Sequence, residues 1–575
     1  MSSGSSLPHV ESPRSESPSP HYASPSRLLL ALALVLAVIF GSRGLFSEDA
    51  VSPYDMPRYL MNGVFLLDAI GAGVPASRDQ AITFAAEYYA RYPALSLGHH
   101  PPLLPVMLVP AYATFGVSVF TARLLVLAMF LATVAAMYGM GRQLYTPLVG
   151  GWAAVLFASH PTIVEYEQQV MSEVPMLLLM VVAGWQLATF TRTGKARHYA
   201  GFAAAAALSL YARQFAVFAF PAYAVMLLAH GQWRRLFKRD ILLLTVLFGL
   251  LMAPIIPMTR ALSQFNVAVV ASGDGRHGSE VFTALYLALA YNLRPALWLL
   301  MLPAIGYAAW RARTLLWTPL AWAGGVVAAV VLLTGIIAPE RYTIGAIPGY
   351  CLLAATLAAW NVTPAVRRAV AVVLACVLAA QAAVTARVQP LGFSGYEAAA
   401  QWVLAHTNAP TVVFNGPIDT GFFSFFLRKH DAKRQLVMLR ADKLFATSLM
   451  GWHGLTPRID RPEAIYPILQ RYGTQYIVLE DMPSKSTALD WLRDELKGPH
   501  FAERLRLPVN SSDRRLRGVS LAVYEYLDAT PPDPNATLEL DLPLVGRRIT
   551  VPLKDLTSGA GVRGRVVDLP PDRQP

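Results

Sequence analysis

The most constraining feature of this chain is a series of long apolar runs that recur from about residue 27 to about residue 385. Each run approaches the ~20 residues that an α-helix needs to cross the ~30 Å hydrocarbon layer of a bilayer. Of the 575 residues, 55% are hydrophobic and only 15% are charged, a composition too apolar for an ordinary soluble protein. The sequence therefore predicts an α-helical polytopic membrane protein.

The charges between the runs predict how about 11 transmembrane helices are oriented. Lys and Arg are concentrated in alternate loops, which is typical of the cytoplasmic side and places residues 387–575 outside. A count that differs by one would place that tail inside, and the runs at 198–230, separated only by Arg213 and Gln214, could be a hairpin at the outer face. The runs lie at residues 27–46, 118–141, 147–165, 172–191, 198–212, 214–230, 240–258, 290–310, 314–337, 342–360 and 366–386. The basic loops contain Arg142, Arg192, Lys195, Arg197, Arg234, Arg235, Lys238, Arg239, Arg311, Arg313, Arg367 and Arg368.

The two ends of the chain differ from this membrane region, residues 27–386, in which 46–117 is the first extracytoplasmic loop. Residues 1–26 are rich in Ser and Pro and are predicted to be a disordered cytoplasmic tail. Residues 387–530 alternate short β-like runs with helical stretches, which predicts an extracytoplasmic α/β domain with a mostly parallel sheet. Residues 531–575 are expected to form a β-rich appendage containing a hairpin. The β-like runs of the α/β domain are Thr411–Phe414, Leu436–Leu439 and Tyr476–Leu479, and its helical stretches are Tyr396–His406, Pro462–Tyr472 and Thr487–Leu496.

The net charge and the cysteines exclude two other classes of protein. The formal charge of +12 is distributed over short loops between apolar runs rather than over one basic patch, so no nucleic-acid partner is expected. Cys351 and Cys376 both lie within apolar runs, and they provide no disulfide framework.

An acidic and aromatic stretch, Tyr54–Gly63, follows the first apolar run. Its Asp-x-x-x-Tyr spacing puts Asp55 and Tyr59 on one face if the stretch is helical, with Arg58 close by. Such a carboxylate could be an ordinary solvated charge at a helix end. It could also be a general base that takes a proton from an acceptor hydroxyl or amine. Glu48 and Asp49, a few residues earlier, are further candidates for that base.

Paired histidines, His99 and His100, precede two prolines later in the same loop. Two adjacent histidines rarely point at one ion, and no Cys or His-x-x-x-His partner accompanies them. We therefore expect these side chains to donate hydrogen bonds or partial positive charge to a phosphate. No metal cofactor is predicted, and a divalent metal is possible but has no ligand motif to support it.

Three further ionisable residues border the hydrocarbon region on the predicted outer side. Glu173 opens the fourth run, Arg213 separates two runs, and Arg341 with Tyr342 opens the tenth. Ser172 as a helix cap and the helix dipole explain the acid in structural terms, and snorkelling explains the arginines. Ionisable groups at this depth are nevertheless expensive and usually functional, and guanidinium groups bind phosphate oxygens as a fork. The sequence therefore predicts an anion site.

These motifs, in this order, resemble the GT-C fold, and in particular the branch that contains the protein O-mannosyltransferases and the lipid A aminoarabinose transferases. The similarity extends over about residues 27–386 and is strongest in the run HHPPLLPVMLVPAYATFGVSVFTARLLVLAMFLATVAAMYGMGRQLY. It implies an integral membrane glycosyltransferase that uses a polyprenyl-phosphate sugar and inverts the anomeric centre.

By match to the motifs of that family, Asp55 is implied to be the general base and Glu173 the second acidic position. His100 matches the basic residue before Pro-Pro, and Arg341 with Tyr342 matches a late phosphate-binding pair. The chain departs from the family pattern in two places. Met56 stands where many relatives have Glu, and His100 stands where many have Lys.

The predicted function is thus transfer of a hexosyl or pentosyl group to a lipid, glycan or protein acceptor at the outer face of a bacterial plasma membrane. Asp55 deprotonates the acceptor, while Arg341, Arg213 and His100 hold the donor phosphate, and membrane lipids surround the protein. The alternatives are a transporter or flippase of lipid-linked sugars, an oligosaccharyltransferase or O-antigen ligase, and a non-enzymatic scaffold or sensor. A transporter needs charges at mid-membrane and broken helices in both halves, whereas the unusual polar residues here lie on one predicted face, which favours an enzyme.

Overall fold

The computed structural model describes residues 24–46, 55–96, 100–257, 278–311, 313–333, 339–359, 363–389, 392–447, 456–484, 486–511, 513, 516–542, 547–557 and 565–568. Nearly all of the predicted disordered tail lies outside these residues, as do three of the candidate site residues, Glu48, Asp49 and His99.

Helices dominate the part of the chain before residue 390. They are α1 Pro25–Gly41, α2 Met56–Gly71, α3 Arg78–Arg91, α4 Leu103–Phe115, α5 Val119–Leu144, α6 Pro147–Ala158, α7 Pro161–Glu167, α8 Glu173–Thr193, α9 Ala196–Ala212, α10 Phe220–Ala229, α11 Arg239–Met252, α12 Gly278–Arg311, α13 Arg313–Leu333, α14 Pro339–Tyr342, α15 Ile347–Ala355 and α16 Pro364–Thr385.

Several of these helices have the length and composition of membrane spans. In the described residues, five helices are long and apolar enough, and two bent helix pairs raise the number to seven if each pair is one span. Three further apolar helices, at Leu103–Phe115, Gln214–Ala229 and Ile344–Ala359, are shorter. The chain is therefore an integral multi-pass membrane protein, and the count of about 11 crossings stays a prediction.

Two segments expected to be single crossings are bent, and a proline explains each bend. The segment predicted at 147–165 consists of α6 and α7, which meet at an angle of 61° where His160 precedes Pro161. The segment predicted at 290–310 bends by 96° where Arg294 precedes Pro295. The residue before a proline is disfavoured in the helical conformation, and Arg294 accordingly has φ 48° and ψ 158°. Each of these two predicted crossings is therefore a bent helix pair, and whether each pair is one span stays a prediction.

Close backbone contact joins α5 to α6. A Cβ on Gly150 would lie 2.5 Å from the carbonyl oxygen of Tyr138, and one on Gly141 would lie 2.7 Å from the Cα of Gly150. Apolar side chains gain little by leaving lipid for protein, so helices in membranes associate largely through such close packing of small residues. Glycine is therefore required at both positions for these two helices to touch.

The C-terminal unit, the part of the chain from residue 392 onward, contains the sheets. Its helices are α17 Tyr396–His406, α18 Thr420–His430, α19 Ala441–Leu444, α20 Ile465–Arg471, α21 Thr487–Glu495 and α22 Leu553–Thr557. Its strands are β1 Thr411–Asn415, β2 Val437–Arg440, β3 Ala446–Thr447, β4 Thr456–Pro457, β5 Thr474–Glu480, β6 Phe501–Pro508, β7 Ser520–Tyr526, β8 Thr537–Leu542, β9 Arg547–Pro552 and β10 Arg565–Asp568.

The main sheet has five strands in the order β2-β1-β5-β7-β6. β2, β1 and β5 are parallel, as the alternating strand and helix pattern predicted, whereas β7 and β6 are antiparallel. The sheet is therefore mixed rather than mostly parallel. β6 was missed because it is an edge strand with the sequence FAERLRLP, whose charged side chains interrupt any apolar run.

A second sheet follows in the order β10-β9-β8. β8 and β9 pair antiparallel across the region where the sequence predicts a hairpin, with Thr537 opposite Pro552 and Leu542 opposite Arg547. β10 adds a third antiparallel strand that the sequence did not indicate.

Candidate active site

The site begins at the first turn of α2. Asp55 immediately precedes this helix, and its carbonyl oxygen accepts hydrogen bonds from the backbone N–H of Arg58 at 3.1 Å and of Tyr59 at 3.0 Å. Pro57 suits this first turn because its missing N–H has no helical partner to lose there. The side chain of Asp55 is 22% exposed, so its carboxylate is held at a fixed place and is still accessible.

A second carboxylate, Glu173, stands at the first position of α8 and is completely buried. Arg213, the extended residue that follows α9, donates to Glu173 Oε1 and, at 3.3 Å, to Ser172 Oγ. A buried carboxylate needs such a partner because removing a charge from water is expensive. Arg213, which separates two apolar runs in the sequence, is thus the cation that reaches the start of α8.

Arg341 links the two carboxylates. Its Nε donates to Glu173 Oε1 at 2.5 Å, and its Nη2 donates to Asp55 Oδ2 at 2.5 Å. These contacts use two different nitrogens of one planar guanidinium group, a geometry that lysine does not offer. Together with Arg213, the four side chains form one continuous ion network of two acids and two bases.

Aromatic side chains enclose this network. The Tyr59 hydroxyl donates to Ser172 Oγ at 2.9 Å, which fixes the start of α2 against the start of α8. On the other side, the Tyr342 ring stacks on Phe215 with ring centroids 4.6 Å apart. The Arg213 guanidinium lies 5.2 Å from the centroid of the Tyr342 ring, within the range of a cation–π contact.

His100 completes the surroundings of Asp55. Its Nε2 lies 3.5 Å from Asp55 Oδ1, and its ring is 5.0 Å from the ring of Tyr59. The histidine side chain is 10% exposed, so it is positioned by packing rather than held loosely in solvent.

The electrostatics of the site favour an ionised Asp55. Burial opposes the charged form, but the positive charge of Arg341, reinforced by His100, holds the pKa of the Asp55 carboxyl well below its usual range. The opposite holds for Tyr59, because burial and the nearby negative charge of Asp55 raise the pKa of its phenol. At neutral pH the carboxylate can therefore accept a proton, while the tyrosine remains a hydrogen-bond donor.

The structure brings together most of the residues that the sequence singled out. Seven of the candidates lie in this one cluster, namely Asp55, Tyr59, His100, Glu173, Arg213, Arg341 and Tyr342. Arg58 is directed elsewhere: its Nη1 donates to Asp419 of the C-terminal unit at 3.1 Å.

Sequence reasoning missed two contributors. Ser172 was considered only as a helix cap, but its hydroxyl makes no capping bond and instead accepts from Tyr59 and Arg213. Phe215 was not singled out at all. Its position two residues after Arg213 was the available signal, since aromatic rings commonly accompany a partly buried guanidinium.

Among the described residues, no group of three or more His, Cys, Asp or Glu side chains is placed to hold a metal ion. Chemically, the arrangement offers one accessible ionised carboxylate and one guanidinium in direct contact with it. The first can accept a proton, and the second can bind an anion.

Comparison with known proteins gives a family match over part of the chain. Residues 99–258 match the family described as dolichyl-phosphate-mannose-protein mannosyltransferase. No curated protein is similar to the chain in sequence.

Three of the solved structures that match this chain illustrate the shared fold. ArnT from Cupriavidus metallidurans bound to undecaprenyl phosphate has a TM-score of 0.53 at 14% identity, with 88% of this chain and 99% of that one covered. An arabinofuranosyltransferase AftD from Mycobacteria, mutant R1389S, has a TM-score of 0.50 at 16% identity, with 90% of this chain and 43% of that one covered. The apo oligosaccharyltransferase of Archaeoglobus fulgidus has a TM-score of 0.50 at 12% identity, with 79% and 69% covered.

All of these similar proteins are glycosyltransferases of the GT-C fold. The resemblance stated from the motifs is therefore confirmed, and the chain is a multi-pass membrane protein with the GT-C fold and a C-terminal α/β unit.

Proposed function

We propose that this protein is a glycosyltransferase that moves a sugar from a polyprenyl-phosphate donor to an acceptor, with inversion at the anomeric carbon. The shared fold and the family match over residues 99–258 support the transferase activity. One of the similar structures contains undecaprenyl phosphate, which supports a donor linked to a polyprenyl phosphate.

The observation that carries the proposal is the contact between Asp55 Oδ2 and Arg341 Nη2 at 2.5 Å. A sugar phosphate needs an anion-binding group at its leaving phosphate and a base at the attacking acceptor. Both groups must therefore lie close to the same anomeric carbon. Asp55 and Arg341 are the accessible members of the network, whereas the Glu173 side chain is 0% exposed.

In the proposed reaction, the acceptor hydroxyl or amine gives its proton to Asp55 as its heteroatom forms a bond to the anomeric carbon. The bond between that carbon and the phosphate oxygen breaks, and the electron pair leaves with the lipid phosphate. Arg341 stabilises the charge that develops on this oxygen, and attack opposite the leaving group inverts the centre. No other reactant is required.

The remaining residues hold these two in place. Glu173 accepts from both Arg341 and Arg213, so in this proposal it orients the phosphate-binding guanidinium rather than moving a proton. His100, 3.5 Å from Asp55, is a further donor for the phosphate. We place the site and the C-terminal unit on the extracytoplasmic side of a bacterial plasma membrane, because basic loops alternate with the loops of the site.

The test is transfer of sugar from a radiolabelled polyprenyl-phosphate sugar by the full-length protein and its Asp55→Asn variant. The amide keeps the shape of the side chain but cannot accept the proton, so transfer should fall to background while the protein remains folded. Asp79→Asn is the matched control, since this aspartate is exposed in the first turn of α3 and should leave transfer unchanged.

Full activity in a folded Asp55→Asn variant would show that Asp55 is not the base, and Glu48 or Asp49 would then be the candidate base. A wild-type protein that moves the lipid-linked sugar across a bilayer without transferring it would instead favour a flippase.

A further inference from the structure

The first turn of α2, which sets the position of Asp55, is in direct contact with the C-terminal unit. Arg58 Nη1 donates to Asp419 Oδ2 at 3.1 Å, and the Asp419 side chain is only 5% exposed. The other oxygen, Oδ1, caps α18 by accepting from the backbone N–H of Gly421 at 2.8 Å. One aspartate therefore binds the start of both helices.

The backbones of the two helices also meet at this point. A Cβ on Gly421 would lie 2.6 Å from the Cβ of Pro57. Gly421 has no positive φ, so glycine is needed here for the close approach and not for its conformational freedom. The new Cβ would meet a carbon of the rigid Pro57 ring, and this ring cannot move aside as a flexible side chain could.

The loop that carries Asp419 is itself fixed from behind by β5. The buried carboxylate of Glu480, the last residue of that strand, accepts from the backbone N–H of Ile418 at 2.5 Å. It also accepts from the Tyr396 hydroxyl at 2.7 Å. The sheet therefore fixes the loop of Ile418 and Asp419, and this loop in turn holds the start of α2.

A second contact secures the other end of α2. Asp68 accepts from Arg428 at 2.6 and 2.8 Å and from Arg434 at 2.5 Å. Arg58 and Asp68 are separated along α2 by about 15 Å at a rise of ~1.5 Å per residue, and Asp419 and Arg428 are separated by a similar distance along α18. The two helices therefore lie side by side in the same direction, joined near both ends.

We infer that Asp419 and Gly421 are positioning residues for the catalytic base, so that the C-terminal unit sets where Asp55 stands relative to the donor. The inference rests on the proposed function, because it takes Asp55 as that base. It assigns Arg58 the role of linking the two units. In the proposed function the donor contacts come from Arg341, Arg213 and His100, whereas Asp419 acts through Arg58 and the start of α2.

The effect of disturbing this contact is expected to be large. Relief of a 2.6 Å carbon–carbon contact to van der Waals distance needs a shift of about 1 Å in Gly421→Ala. A displacement of that size in a reacting group can cost about a hundredfold in rate. In Asp419→Asn the amide keeps the cap on α18, but its NH₂ then faces Arg58, so the link to α2 is lost.

The experiment measures kcat and donor KM for both variants in the full-length protein, with hydrogen exchange of residues 56–60. We expect kcat to fall at least tenfold, donor KM to change less than threefold, and the first turn of α2 to exchange faster. Gly71→Ala is the matched control, because it is the same substitution at the far end of α2, with nothing within 4 Å of the new Cβ. It should retain wild-type kcat and exchange.

A double-mutant cycle distinguishes positioning from general destabilisation. Arg58→Gln should add no further loss of kcat in the Asp419→Asn background, since each removes the same link. Unchanged kcat and exchange in Gly421→Ala, or additive losses in the cycle, would overturn the inference. If the wild-type protein transfers no sugar, the proposed function fails by itself. Faster exchange of residues 56–60 in the variants then still supports positioning of the first turn of α2 by the C-terminal unit, and unchanged exchange refutes it.

Discussion

Removal of the Arg341 side chain tests the centre of the site. In Arg341→Ala the network loses two charge-assisted hydrogen bonds, each 2.5 Å long, to Asp55 and Glu173. Glu173 keeps Arg213 as its counterion, so the variant should fold. A donor aimed at developing charge in a water-excluded site typically contributes a few kcal/mol, so we expect transfer to fall on the order of a hundredfold, about 2.7 kcal/mol.

Arg341→Lys should restore only part of this loss. The guanidinium reaches its two carboxylates with different nitrogens, Nε and Nη2, whereas an ammonium is a single point charge. We expect lysine to recover about a tenth of wild-type activity, because it restores charge without the fork that a phosphate accepts.

Donor binding and single-turnover transfer from a radiolabelled polyprenyl-phosphate sugar provide the assay. Arg506→Ala is the matched control, since Arg506 also contacts two carboxylates, Asp481 and Glu503, but lies on the C-terminal sheet. It should bind and turn over as wild type does. If Arg341→Ala binds donor and turns over normally, the phosphate site must be rebuilt around Arg213 and His100.

Three further predictions concern protonation, folding and orientation. The pKa of Asp55 is held well below its usual range, so this group stays ionised as the pH falls, and kcat/KM should show no acid limb from it above about pH 4. In Arg341→Gln the positive charge of Arg341 no longer offsets the burial of Asp55, so the acid limb of kcat/KM should move to higher pH. An acid limb at the wild-type position would contradict the role of Asp55 as the base. Glu173→Gln should lower the melting temperature, because it removes the buried carboxylate that joins the guanidinium groups of Arg213 and Arg341, and a melting temperature equal to wild type would show that these two ion pairs do not stabilise the fold. Cysteine-accessibility labelling should place Asp55, Glu173, Arg341 and residues 387–575 on the extracytoplasmic side, and labelling of the tail from the cytoplasm would require a different number of crossings.

Much of this architecture could be predicted because its signals are local. Apolar runs of bilayer length predicted the long helices, and an alternating pattern predicted β1, β2 and β5. The segments predicted at 147–165 and 290–310 each contain a proline that bends the helix, and an apolar run alone does not reveal such a bend. β6 was missed because its charged side chains suit a solvent-exposed edge.

The sequence indicated residues that the structure brings together, but not how those residues contact one another. Asp55, Glu173 and Arg341 each stand at the start of a helix, a position that the sequence reveals. No local pattern shows that one guanidinium spans two carboxylates that are 118 residues apart in sequence, 55 to 173. The contact between Arg58 and Asp419 also has no local pattern to reveal it, since it joins residues 361 apart in sequence.

The balance of charge in the network has a consequence for how an anion enters. Asp55 and Glu173 supply two negative charges, and Arg213 and Arg341 supply two positive charges, so the resting site is neutral. A donor phosphate brings a negative charge that nothing in this set of four cancels. His100, whose Nε2 lies 3.5 Å from Asp55 Oδ1, is the group placed to compensate by donating a hydrogen bond or partial positive charge to the phosphate. His100→Ala should therefore weaken donor binding while the four side chains of the network stay in place. Donor affinity equal to that of wild type would show that the site accepts the charge in another way.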